Sequence, residues 1–328
     1  MSLETVVVLA AGEGTRMKSA TPKVLHSISG RTLLGHVLHA VAGLMPKNLR
    51  IVVGAGREQV EAHVVQIAPH AVTVFQEHRG GTGHATQLAL AGITSTGTVL
   101  VLAGDTPMLT TESLAALLEV HHKGNFSASV MTAEHPDPTG YGRIVRAEDG
   151  SLLRIVEERD ASENEKAIYE VNSGVYAFDG AKLAGAIGKL KNNNSQGELY
   201  LTDVLEILRN DGGSIAAVLI EDFIEILGVN DRAQLSESAA LLRDIINEKL
   251  MKSGVTIVDP LTTWVDSTAT VASDVTLLPG TWLAGKSTVA SGAVIGPRTT
   301  LLDCAVAPGA HVIESNCTGA VIGKGAQV

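Results

Sequence analysis

The 328-residue sequence predicts two fold classes in succession: an α/β unit on a mostly parallel sheet, then a short left-handed parallel β-helix. Three observations carry this expectation. Apolar strand patterns and amphipathic helix patterns alternate four times in the first 125 residues, as in a parallel sheet with helices on both faces. The first strand, Val6-Val7-Val8-Leu9-Ala10, opens into a glycine loop, Ala11-Gly12-Glu13-Gly14. Sheets of this kind bind ligands at that end of the strand. Near the C-terminus Val265, Val271, Leu277, Leu283, Val289, Ile295, Leu301, Ala307 and Ile313 stand six residues apart. A hexapeptide period marks a parallel β-helix with the aliphatic column inward, whereas a plain sheet alternates every two residues.

The elements follow in order. Residues 5–10 are the first strand. Leu33, Leu34, Val37, Leu38, Val41 and Ala42 recur at helical spacing and predict a helix over 32–44. A strand at 49–54, a helix over 57–67 and a strand over 71–75 come next. A helix over 82–91 leads to the apolar strand 98–103, which ends in Gly104-Asp105 before a helix over 111–122. The alternation then loosens. Strands are predicted at 127–133, 143–147, 152–157, 171–178 and 214–220, with helices at 180–188 and 200–210. The inserted strands are expected to form a second lobe over the ligand. Leu235, Ala239, Leu242, Ile246 and Leu250 mark the apolar stripe of a long connecting helix, 231–252.

Residues 1–230 are therefore read as one domain, 231–252 as a connector and 253–328 as the repeat domain. Two positions before the aliphatic column lies a second one of mostly small residues: Ala269, Val275, Thr281, Ser287, Ala293, Thr299 and Ala305. At three hexads per triangular coil, nine hexads make about three coils. The register is expected to break after Ile313, with a Val-Ile-Gly recurring at 321–323. Repeat stacks need a polar cap or a partner. Repeats that run to Val328 without one lead us to expect a shortened version of a longer protein.

Composition narrows the function. A net charge of −10 and 3% aromatic residues argue against binding DNA or RNA polymers, though not against a single nucleotide. Hydrophobic residues, at 45%, suffice for real cores. No stretch approaches the ~20 apolar residues of a membrane span, and the early Glu4 and short apolar run do not suit a signal peptide. Two cysteines, Cys304 and Cys317, suit a reducing compartment, so a cytoplasmic location is expected. No Cys/His cluster has metal-ligand spacing.

Within the glycine loop, Gly12 and Gly14 let the backbone approach a ligand, and their N–H groups can meet phosphate oxygens. Arg16 and Lys23 supply positive charge. The loop lacks the Gly-Lys-Ser/Thr ending of a P-loop, and Met17 stands where a dinucleotide fingerprint needs a third glycine. Glycines also serve plain strand–helix turns, so the loop alone leaves that reading open. Asp105 follows a fully apolar strand, and a carboxylate there is a hard-oxygen ligand aimed at the crevice. It sits too far upstream to cap the helix at 111 well. Asn230 can equally cap the helix that follows it. Gln76 can donate and accept at once, which suits a base edge, or it can simply end a strand. Glu157, in the run Glu157-Glu158-Arg159-Asp160, would pass for a solvated turn.

The ordered segments carry a resemblance. They are Leu9-Ala-Ala-Gly-Glu-Gly-Thr-Arg-Met17 with Pro22-Lys-Val-Leu-His26, Gly81-Thr-Gly-His-Ala85, Gly104-Asp-Thr-Pro107, Asp137-Pro-Thr-Gly-Tyr-Gly-Arg-Ile144, Ile155-Val-Glu157, Glu170-Val-Asn-Ser-Gly174, Asn192 to Asp203, and Gly228-Val-Asn230. Together they resemble the sugar-nucleotide nucleotidyltransferases. The nearer match is the bifunctional N-acetylglucosamine-1-phosphate uridyltransferase/glucosamine-1-phosphate acetyltransferase family of bacterial wall synthesis. The resemblance spans the whole chain. It implies a Rossmann-like sheet of the nucleotidyltransferase type and transfer of UMP from UTP to N-acetylglucosamine 1-phosphate, giving UDP-N-acetylglucosamine and pyrophosphate.

The resemblance also implies roles. Leu9, Ala10, Ala11, Gly12 and Gln76 hold uracil and ribose, helped by Gly81 and Thr82, with Ala103 and Gly104 beside the nucleotide. Arg16 and Lys23 neutralise the triphosphate. Asp105 and Asn230 hold Mg²⁺. Gly142, Glu157 and Asn172 contact the sugar. The family's homotrimer through the β-helix is implied in turn. Two features depart from the pattern: Ala103 stands where a larger or polar residue is common, and Arg79-Gly80 replaces a more usual pair. The acetyltransferase residues are missing as well, since no Tyr follows Tyr200 and His311 is the last histidine, so no acetyl transfer is expected of this chain. A nucleotidyltransferase for another sugar 1-phosphate and a non-catalytic regulatory homologue are the competing readings. A substrate panel separates the first and UTP calorimetry the second.

Overall fold

The computed structural model describes residues 2–93 and 96–328. They form two compact units, Met1–Leu25 with Leu33–Asn230, and His26–Thr32 with Asp231–Val328.

In the first unit, β1 (Leu3–Ala10) is the central strand. The hairpin β2 (Ser27–Ile28) and β3 (Arg31–Thr32) follows and belongs with the second unit. The chain continues as α1 (Leu33–Ala42), β4 (Asn48–Val53), α2 (Arg57–Ile67), β5 (Val72–Phe75), α3 (Gly81–Leu90), β6 (Thr98–Ala103) and α4 (Thr111–Lys123). Then come β7 (Ala128–Glu134), β8 (Arg143–Arg146), β9 (Leu152–Val156), α5 (Glu163–Lys166), β10 (Glu170–Asp179), α6 (Gly180–Ile187), α7 (Asp203–Asn210) and β11 (Ile215–Leu219). The main sheet runs β11-β7-β10-β6-β1-β4-β5. Its pairs are parallel except those of β10, which lies antiparallel to β6 and β7. Buried apolar side chains cover both faces: Val6, Val8, Leu100 and Leu102 face one core, and Val7, Val52, Val99 and Val101 the other. That two-faced burial is why these strands read as unbroken apolar runs.

Two expectations need correction. Of the inserted strands, only β8 and β9 leave the main path, as an antiparallel hairpin joined to β10 through Val171 and Arg143. Strands β7, β10 and β11 complete the main sheet. The helix expected over 200–210 starts at Asp203, because the preceding backbone is bonded elsewhere. Leu199 N donates to Gly80 O (2.7 Å), its carbonyl accepts from Gly83 N (2.8 Å), and Leu201 N donates to Thr82 Oγ1 (3.0 Å).

The second unit opens with α8 (Arg232–Lys252), capped by Asp231, whose Oδ1 accepts from Gln234 N. Twelve short strands follow: β12 (Thr256–Ile257), β13 (Trp264–Val265), β14 (Thr270–Val271), β15 (Thr276–Leu277), β16 (Trp282–Ala284), β17 (Thr288–Val289), β18 (Val294–Ile295), β19 (Thr300–Leu302), β20 (Ala305–Val306), β21 (His311–Val312), β22 (Asn316–Thr318) and β23 (Val321–Ile322). They stack as three parallel four-stranded sheets, the faces of a left-handed β-helix. Each face thus has four rungs rather than three, since Thr256–Ile257, Asn316–Thr318 and Val321–Ile322 also join.

The six-residue register ends earlier than expected. Val265, Leu277, Leu283, Val289, Ile295 and Leu301 are buried, but the column continues at Val306 and Val312 rather than Ala307 and Ile313, and Ile313 is 46% exposed. Val289 pairs with Val306 seventeen residues on, and Leu301 with Cys317 sixteen on. The first of these coils loses one residue and the second two, at the corners where Asp303 and Glu314 take positive φ. In the small column, Thr281, Ser287 and Thr299 are buried and their hydroxyls meet backbone carbonyls of the next rung. Cys304, not the exposed Ala305, takes the next place, with Sγ 3.4 Å from Cys317 O.

Candidate active site

The glycine loop follows the C-terminal end of β1. Gly14 has φ 60°, and a Cβ there would stand 2.5 Å from Lys23 Cβ, so only glycine lets the two segments meet. Gly12 has nothing within 4 Å of its would-be Cβ and lines an open cavity of about 400 Å³. The strand ends are tied together: Gly104 N, just past β6, donates to Leu9 O (2.9 Å).

Three polar side chains from distant parts of the chain converge beside the loop. Lys23 Nζ is ion-paired with Asp105 and donates to Asn230 Oδ1 (3.2 Å). Val229 N donates to Asp105 O (3.0 Å), and the Tyr141 phenol, pushed up by burial, hydrogen-bonds the Gly228 backbone. Those two bonds hold the loop that delivers Asn230. Neither capping alternative applies, because Thr110 caps α4 and Asp231 caps α8.

Gln76 also lines the cavity. Its Nε2 donates to Gly81 O (3.1 Å) and lies 3.2 Å from His84 Nδ1, which fixes the amide. Gly81 has φ 90°, and a Cβ there would lie 2.6 Å from Leu199 O. At the other end Glu157 sits beside Thr202, whose Oγ1 donates to Glu157 Oε1 (3.2 Å). Burial pushes the Glu157 carboxyl up, the Thr202 bond partly offsets this, and Asp203 and Asp160 add repulsion. Asn172 is held by two bonds, from Gly174 N to its Oδ1 (3.0 Å) and from its Nδ2 to the buried Tyr176 phenol (2.6 Å). Asn172 still pairs with Thr132, and a register shift in β10 follows it before pairing resumes at Tyr176.

Most of the sequence-predicted residues therefore surround one cavity: Leu9, Ala10, Ala11, Gly12, Lys23, Gln76, Gly81, Thr82, Ala103, Asp105, Glu157 and Asn172 line it. Gly104 and Gly142 stand directly behind the wall, Gly142 with its would-be Cβ 3.5 Å from Glu157 Oε2. Asn230 reaches it through Lys23. Arg16 is the exception. It is exposed on the single turn Thr15–Met17, which buries Met17, and does not line the cavity. Tyr176, Glu198 and Thr202 line the cavity without having been singled out. Thr202 and Glu198 lay within the matched segment 192–203, and Tyr176 was hidden in a strand pattern.

Among the described residues no group of three or more His, Cys, Asp or Glu side chains could hold a metal unaided. Asp105 and Asn230 nevertheless aim two oxygens at one cationic nitrogen, Lys23 Nζ. Two hard oxygens supplemented by phosphate oxygens are what Mg²⁺ accepts. The residues present thus fit a divalent cation bound together with a phosphate ligand. Among the described residues no helix is long and apolar enough to cross a membrane.

Comparison with known proteins follows the same lines. The MobA-like NTP transferase domain family matches residues 6–173. The chain is 52% identical to the bifunctional protein GlmU of Streptomyces coelicolor, over 98% of its own length and 68% of that relative's. It is 50% identical to that of Streptomyces avermitilis over the same shares, and 48% identical to that of Thermobifida fusca over 97% and 67%. These relationships imply a divalent metal at the site. The chain is a nucleotidyltransferase and belongs to the GlmU family.

Proposed function

We propose that this chain transfers UMP from UTP to N-acetylglucosamine 1-phosphate. A phosphate oxygen of the sugar phosphate attacks the α-phosphorus of UTP. The bond from that phosphorus to the α,β-bridging oxygen breaks, and pyrophosphate leaves. The product is UDP-N-acetylglucosamine, a cell-envelope precursor. The observation that carries the proposal is the Lys23–Asp105–Asn230 cluster at the strand ends, sharing one cavity with the glycine loop and with Glu157 and Asn172.

The nucleophile is already anionic, so no strong general base is needed. Catalysis is positioning and charge balance. The backbone of Leu9 to Gly12 and the fixed Gln76 amide would seat the nucleoside, with Gly81 and Thr82. Lys23 would balance charge growing on the leaving pyrophosphate. Glu157 and Asn172 would hold sugar hydroxyls and the acetamido group. Asp105 and Asn230 would hold Mg²⁺, which when bound screens the phosphates and polarises the α-phosphoryl group.

We assign the β-helix to self-association as a homotrimer, checked by sedimentation of a species three times the 34.1 kDa chain mass. The use of UTP suits a cytoplasmic location. No acetyl transfer is assigned to these residues.

A pyrophosphate-release assay with UTP, Mg²⁺ and N-acetylglucosamine 1-phosphate, run against other nucleotides and sugar phosphates, tests the reaction. Asp105→Ala should abolish turnover with an unchanged circular dichroism spectrum. Near-normal pyrophosphate release by that variant would overturn the mechanism, and preference for another sugar phosphate would overturn the specificity.

A further inference from the structure

We propose that Arg79 is a phosphate-binding residue of the nucleotide site, held by Glu13 until the triphosphate arrives. This rests on the nucleotidyltransfer proposed above.

The charges lining the cavity set the problem. Lys23 and Arg79 are its basic residues, against Glu13, Asp105, Glu157 and Glu198. Lys23 is already engaged by Asp105 and Asn230. Arg16, the other cation expected at the phosphates, is exposed on the Thr15–Met17 turn and does not line the cavity. A triphosphate carrying about four negative charges thus meets a lining with an excess of carboxylates, and Arg79 is the cavity-lining guanidinium.

Its position suits the task. Arg79 lies between Gln76 and Gly81, where the nucleoside wall turns toward the glycine loop. Its Nη2 is ion-paired with Glu13, the residue between Gly12 and Gly14. The guanidinium is therefore already beside the backbone that would cradle phosphate. The pair is weak enough to exchange: the two side chains are 53% and 46% exposed, and exposed pairs contribute about 1 kcal/mol or less. A triphosphate offers the guanidinium the same bidentate, charge-assisted geometry and more negative charge than one carboxylate. Arg79 thus gains by moving from Glu13 to the nucleotide. Glu13 in turn raises the cost for any anion that cannot win that exchange.

The test measures KM for UTP and kcat in wild type, Arg79→Ala, Arg79→Lys and Glu13→Gln, with thermal melts to show that each variant is folded. Arg79→Ala should raise the KM for UTP roughly tenfold, the scale of one charged hydrogen bond, with kcat within about twofold. Arg79→Lys should fall between, since it keeps the charge and loses the fork. Glu13→Gln should lower the KM about twofold, because it frees Arg79. An unchanged KM in Arg79→Ala would mean an ordinary surface ion pair and overturn the proposal. An equal rise in Glu13→Gln and Arg79→Ala would mean a structural clasp and overturn it too. If wild type releases no pyrophosphate, the proposed reaction fails instead. Calorimetric affinity for UTP with Mg²⁺ in the same variants still decides the role of Arg79.

Discussion

Gly12 and Gly14 are two residues apart in one loop, yet substitution should damage them in different ways. At Gly14 the backbone has φ 60°, and a new Cβ would stand 2.5 Å from Lys23 Cβ. An L-residue in the left-handed region costs about 1–2 kcal/mol. The contact adds to this, since one of the two segments must shift by several tenths of an ångström or more. A total of about 2 kcal/mol lowers the Tm of a unit this size by roughly 4–8 °C. The shift also falls on Lys23, and a misplacement approaching 1 Å costs on the order of 10²-fold in rate. Gly14→Ala should therefore lose both stability and kcat. At Gly12 no atom lies within 4 Å and the φ is ordinary, so Gly12→Ala should leave Tm unchanged. Its methyl group projects into the cavity and should raise the KM for UTP several-fold. Calorimetric melting and steady-state kinetics on the two variants make the comparison. A Gly14→Ala protein that melts and turns over like wild type would refute the reasoning. So would a Gly12→Ala protein that melts several degrees lower.

Three further outcomes are expected. His121 is buried on α4, bonded through Nδ1 to Ser129 Oγ (3.0 Å), with Nε2 lacking a partner. Burial, then His122, hold its pKa at about 4, below the unfolded 6.5. Stability from the neutral ring is complete above pH 6.5 and is lost as pH falls toward 4, by about 3 kcal/mol. Urea unfolding across that range should show this slope, flattened in His121→Gln. Glu157 has its carboxyl pushed up by burial, so its ionised form opposes folding as pH rises through the raised pKa. Glu157→Gln should be as stable as wild type or more so at neutral pH, while kcat/KM for the sugar phosphate falls tenfold or more. Cys304 occupies a corner site that Ser287 fills one coil earlier, so Cys304→Ser should melt near wild type. Cys304→Leu should lose about 1–3 kcal/mol by overpacking, measured by urea denaturation.

Local chemistry was legible in the chain itself. Strand runs such as Val99 to Leu102 are apolar throughout because both faces of the sheet are covered, and that pattern needs no partner to be read. The hexapeptide column from Val265 to Leu301 repeats a local geometry, so its inward face follows from spacing alone. Gly12, Lys23 and Asp105 were legible as a loop, a charge and a carboxylate at strand ends. Tertiary structure decided the rest. Whether Arg16 or Arg79 reaches the cavity depends on which way one short turn buries Met17, and on where the loop after β5 crosses the glycine loop. The residue lost at Asp303 is invisible in sequence, since Ala307 and Ile313 keep the six-residue spacing past it, whereas the break after Ile313 is read from the sequence. The meeting of Lys23, Asp105 and Asn230 joins groups up to 207 positions apart, and only the packed sheet brings such distant groups within bonding reach. Residue types and spacing settle what each segment can form by itself. The close approach of segments far apart in the chain is set by packing, and that approach makes the site.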